Sequence, residues 1–106
     1  MSSWTLGARS AEKAPEKGIV AIDLTIDGGS PITLDSDESE RLVTALGKAL
    51  AGIDNASGQI SCVNAGNQIV IRVDKTTIAA LRYDKAELMR SQLKELLAGN
   101  ATEFSG

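Results

Sequence analysis

Apolar and polar residues alternate most cleanly near the start of the chain. There Val20, Ile22, Leu24 and Ile26 interleave with Ala21, Asp23, Thr25 and Asp27. A period of two is the mark of a half-buried strand. Asp27-Gly28-Gly29-Ser30 supplies a turn, because glycine takes positive φ without steric cost. Pro31 has no N–H to donate, so the short return strand Ile32-Thr33-Leu34 begins at an edge or at its first position. The period then lengthens. Leu42, Val43, Leu46, Ala49 and Leu50 recur at helical spacing. Asp35 or Ser36 is placed to cap this helix, with Glu38 in capping-box spacing from Asp35. Gly52 suits its C-terminal stop, and Gly47 in its middle implies a close neighbour.

Three further strands are expected. Gln59–Val63 leads through Asn64-Ala65-Gly66-Asn67 into Gln68–Val73, an Ile- and Val-rich strand that would be a pairing hazard at an edge. Asp74-Lys75-Thr76-Thr77 connects it to Ile78–Tyr83, which is apolar on both faces in its first half, as a central or interface strand would be. Asp84, with Glu87 three residues on, is expected to cap a final helix carrying Ala86, Met89, Leu93, Leu96 and Leu97. The fold class is therefore α+β: a small antiparallel sheet in the order β-β-α-β-β-β-α, with helices packed on one sheet face. A single domain is expected over 18–98. Residues 1–17 and 99–106 show no periodic pattern and are expected as flexible N- and C-terminal tails, with Trp4 and Phe104 as their sticky features.

Composition narrows the chemistry. The 106 residues suit one small domain. They include no histidine, so no Ser-His or Cys-His pair and no imidazole ligand is available. One cysteine, Cys62, excludes an internal disulfide and a thiolate zinc cluster; it is expected as a small buried apolar side chain. The glycine turns spell no phosphate loop or dinucleotide fingerprint. Asp23 and Asp27 read as outward strand carboxylates. Asp35, Asp37, Glu38 and Glu40 read as a helix start rather than a metal site. No enzyme, metal or cofactor is expected. No apolar run approaches the ~20 residues of a membrane span. Without the layout of a secretory signal, a cytoplasmic address is the default.

Net charge is −3, which disfavours nucleic acid and anionic lipid as partners. The acidic excess lies in the first half, while Arg72, Lys75, Arg82, Lys85, Arg90 and Lys94 fall on the last strands and helix. Such a molecule could join head to tail. Arg72, Lys75 and Arg82, with Tyr83 alongside, form a candidate patch for an anion or an acidic partner. A chain this small, with so few aromatics, has a thin stability margin, and the strand from Ile78 and the seam of Met89, Leu93 and Leu96 look surplus to one core. These three residues, Trp4 and Phe104 are therefore the expected protein-interface residues. The function expected is a non-catalytic binding or assembly protein working as a homo-oligomer: a structural component, adaptor or small inhibitor. The motif-poor, compact sequence is compatible with a phage or mobile-element origin.

Gly66-Asn67-Gln68-Ile69-Val70-Ile71-Arg72-Val73, followed by a strand and then Asp84–Leu88, resembles the second half of carbon storage regulator proteins. The resemblance spans about 35 residues of generic strand and turn character, and the hairpin at 22–34 falls in a similar order. It implies a dimeric strand meander with a C-terminal helix, and RNA binding in which Arg82 lies near the family's arginine at the end of the last strand. The family's first strand is basic, whereas this one reads Leu24-Thr25-Ile26-Asp27. A small RNA- or anionic-ligand-binding regulator is accordingly the alternative expectation.

Overall fold

The computed structural model describes residues 3–10, 19–53 and 59–106. The elements run β1 (Trp4–Ser10), β2 (Ile19–Ile26), β3 (Ile32–Asp35), α1 (Ser36–Leu50), β4 (Ile60–Asn64), β5 (Gln68–Val73), β6 (Thr76–Arg82), α2 (Tyr83–Leu97) and β7 (Glu103–Ser105). The class is α+β, as expected, but the strands form two antiparallel sheets: β3-β2-β1-β7, here sheet A, and β4-β5-β6, here sheet B. Each sheet draws three consecutive strands followed by a helix, and β7 returns to close sheet A on β1.

The terminal strands correct the expected tails. Trp4, Leu6 and Ala8 alternate with Thr5, Gly7 and Arg9, and this short period-2 run becomes a central strand of sheet A. At the other end Glu103–Ser105 pairs with Gly7–Thr5. The rest of the expected N-terminal tail, 11–17, lies outside the described residues. On the core side of sheet A, Ile32, Leu24, Leu6 and Phe104 line up across all four strands. On the core side of sheet B the matching row is Cys62, Ile71 and Ala79.

Both helices lie against these inner faces and against each other. Each buries one stripe, Ser39, Leu42, Ala45, Leu46 and Ala49 on α1 and Ala86, Met89, Gln92, Leu93 and Leu96 on α2, while its far side is wet. The molecule thus has a helix layer on one side of its strands. α1 starts as its sequence implies: the Glu38 amide donates to Asp35 Oδ1 at 2.7 Å and the Asp35 amide donates to Glu38 Oε1 at 3.1 Å. α2 does not. Its cap position is Arg82, which offers no side-chain acceptor, and Asp84 sits inside the first turn. Gly47 has its close neighbour: a Cβ there would stand 3.0 Å from Arg90 Nε, where the guanidinium crosses α1.

Two strand placements also differ from expectation. β5, rich in Ile and Val, is the centre of sheet B and needs no protection, whereas the two-faced β6 is an edge. A bulge at Ile71/Arg72 leaves Ile78 without a paired partner.

Candidate functional site

The four residues of the expected anion patch do not converge. Arg82 stands opposite Gln68 at one end of sheet B, and Arg72 lies four positions further along β5, opposite Thr77. At ~3.3 Å per residue and ~4.8 Å between strands, their Cα atoms are about 14 Å apart. Lys75 is a turn residue. It and Asp74 have φ of 66° and 52°, the two left-handed positions of a two-residue hairpin, and Arg72 Nη2 donates to the Lys75 carbonyl at 3.3 Å. Tyr83 is committed to structure: its hydroxyl donates to the Gly66 carbonyl at 2.9 Å and accepts from Asn64 Nδ2, which also donates to the Ala49 carbonyl. Arg82 borders a cleft of about 270 Å³ that it shares with Ser3, Gln68, Ala80 and Lys85.

The expected interface residues are consumed by the chain's own core. Trp4 is 2% exposed, and Met89, Leu93 and Leu96 are fully buried. Phe104 is half-buried against the same core. The seam on α2 is covered by the apolar sides of β1 and β7, two strands that the sequence pattern conceals. Leu88, at 39%, and Tyr83 at its first position are the large apolar residues that α2 leaves wet.

What the described residues leave open is the outer face of each sheet. On sheet A the middle row reads Thr33, Asp23, Gly7, Glu103, flanked by Thr25, Thr5 and Ser105 on one side and Asp35, Ala21 and Arg9 on the other. Arg9 Nε donates to Asp23 Oδ2 at 2.6 Å and Thr33 Oγ1 to Oδ1 at 2.7 Å. Hydrogen bonds from Thr33 and Arg9 hold the Asp23 carboxyl below its ordinary value of 3.8. Over Gly7 lies an open hollow of about 410 Å³ bordered by Thr5, Asp23, Thr25, Thr102 and Glu103. On sheet B the outer row is Val63, Val70 and Ala80, between Arg72 and Arg82. Sheet A thus shows three carboxylates and one arginine, sheet B two arginines and no acid.

Other candidate chemistry resolves into structure. Cys62 is buried, and burial pushes its thiol from 9.0 up to about 12. The helix-start carboxylates Asp35 and Glu38 serve the capping box. No three metal-ligating side chains gather among the described residues. The sequence singles out Asp23, Arg72 and Arg82 but not Gly7 or Glu103; the only available signal was the Trp4-Leu6-Ala8 alternation.

Compared with known proteins, the chain matches no family model, no curated protein and no solved structure.

Proposed function

We propose that this chain is a non-catalytic binding protein that acts through protein–protein contacts as a homo-oligomer, in the manner of a structural component, adaptor or small inhibitor. One observation carries the reading. Both sheets cover one face with helices and, among the described residues, leave the other bare, and the two bare faces differ in charge. These sheet faces are open where the α2 seam is buried. The individual groups fit docking better than catalysis. A thiol held near pKa 12 is a poor nucleophile, and the Asp23 carboxylate is occupied by two donors that make it a weaker base. A cytoplasmic setting belongs to this reading and suits the free Cys62. Among the described residues no helix is long and apolar enough to cross a membrane.

Sedimentation velocity of the full chain over a wide concentration range tests it. Mass should rise with concentration at low salt. A monomer throughout would overturn the homo-oligomer.

One observation favours a second reading, a small RNA- or anionic-ligand-binding regulator: Arg82 and Lys85 share a cleft beside a helix start that lacks a side-chain cap. Fluorescence anisotropy with short single-stranded RNA tests it. Binding that falls steeply with salt and is lost in Arg82→Ala would replace the assembly reading.

A further inference from the structure

We propose that the two bare sheet faces are the halves of one interface, sheet A of one copy receiving sheet B of the next, head to tail. This rests on the assembly reading and names its partner and its geometry.

The first ground is Gly7. Glycine in a strand interior costs roughly 0.5–1 kcal/mol relative to alanine, and Gly7 sits in a central strand. The fold gives no reason for it. Its φ lies outside the left-handed region, and a Cβ built there would meet nothing within 4 Å. Gly47 differs, since Arg90 crowds it, and so does Gly28, which has a φ of 71°. A strand glycine that its own chain does not need marks the close approach of another backbone or ligand. The hollow over Gly7 opens away from the helices, and among the described residues nothing of this copy fills it.

The second ground is charge and spacing. Arg9 is tied to Asp23, which among the described residues leaves Asp35 and Glu103 as the acids of sheet A without an ion-pair partner; the Asp35 cap uses Oδ1 alone. Asp35 and Glu103 lie on opposite edge strands, three strand gaps apart and two residues out of step. That places their Cα atoms about 16 Å apart, against the ~14 Å between Arg72 and Arg82 on sheet B. Arginine side chains span the difference. Midway between the arginines lie Val70 and Ala80. They would come over the square of Gly7, Asp23, Arg9 and Ala21, where Ala21 is buried and the Arg9–Asp23 ion pair crosses beside Gly7. Charge thus meets opposite charge at two corners, and between them Gly7 leaves room beside an ion pair that is already neutralised.

Each face is small. Three strands by six residues make a footprint of about 14 by 20 Å, well under the ~800 Å² per partner of a standard interface. The contact is therefore weak and salt-sensitive. Because the joined faces differ, it propagates into open chains or closes as a ring.

The test uses sedimentation velocity at low salt on the full chain, on Gly7→Val, on Arg72→Glu/Arg82→Glu, and on an equimolar mixture of the two variants. Trp4 fluorescence first confirms that each is folded; if Gly7→Val is not, Gly7→Ala takes its place. The natural chain should grow past dimers with concentration, and each variant alone should associate at least tenfold more weakly. Each variant retains one sound face, so the mixture should form a complex that stops at two. If the natural chain assembles and the variants assemble equally well, the head-to-tail pairing fails and the assembly reading stands. Failure of the mixture to recover points to a symmetric interface and likewise overturns the pairing. A natural chain that never associates sinks both.

Discussion

Trp4 and Gln92, 88 residues apart, are joined in the core: the indole Nε1 donates to Gln92 Oε1 at 2.9 Å. Gln92 Nε2 then donates to the Ser105 carbonyl at 3.0 Å. One buried amide thereby holds the first strand, the last helix and the last strand together, and satisfies the one polar atom that burying a tryptophan creates. Gln92→Leu keeps the volume but strands the indole N–H and the Ser105 carbonyl. It should cost about 2–4 kcal/mol, since each orphaned buried group costs about 1–3 kcal/mol. Trp4 is the only tryptophan, so urea denaturation followed by its fluorescence reads the loss directly. Deleting residues 1–10 removes a central strand and should abolish cooperative unfolding, which far-UV circular dichroism follows because Trp4 goes with the strand.

How far the fold was legible follows from the same pair. β2, β3 and α1 announce themselves because their apolar spacing is regular and their turn and cap residues are adjacent in sequence. β1 carries three apolar positions, one of them alanine, beside a glycine. Its strand character comes from pairing with β2 and with Glu103–Ser105, contacts that no local window contains. Missing β1 made the Met89–Leu96 stripe look surplus, and so put core residues at an interface. The site was legible in part. Arg72 and Arg82 were visible as residues, but their separation is set by β5–β6 register. The row through Gly7 required two sheets where the pattern implied one.

The hairpin between β5 and β6 is built on an unfavourable sequence. Asp74 and Lys75 both occupy left-handed backbone, where Asn-Gly is preferred. Lys75→Gly should stabilise the chain by about 1 kcal/mol, because a non-glycine residue pays roughly 1–2 kcal/mol there and glycine gives some back in unfolded-chain entropy. Thermal unfolding checks this. Since Lys75 is a turn residue, the change should leave self-association near its natural level.

Gly47 and Arg90 should be coupled. Alanine gains up to ~1 kcal/mol over glycine in a helix interior, but in the natural chain its Cβ would press on Arg90 Nε at 3.0 Å, an atom buried without a partner among the described residues. Gly47→Ala should therefore stabilise an Arg90→Ala background more than it stabilises the natural chain. A double-mutant cycle from urea midpoints measures the difference, and equal effects in both backgrounds would show that the guanidinium moves aside freely.

Two titrations make stability depend on pH, with opposite signs. Asp23 is depressed below 3.8 by Thr33 and Arg9, so its contribution is complete above that pH and is lost as pH falls through the lower folded value. Thr33→Val should move the Asp23 midpoint, followed by carboxyl NMR, back up toward 3.8. Cys62 runs the other way. Its thiol is raised from 9.0 to about 12, so below pH 9 it stays protonated in both states and has no effect. Between 9 and 12 the unfolded chain releases a proton that the folded chain retains, and stability falls as pH rises. Cys62→Ala should remove that alkaline decline at some cost in packing. In the natural chain at neutral pH a thiol reagent should label Cys62 only as fast as the protein opens. Rapid labelling under native conditions would place the sulfur at the surface and contradict the sheet B core.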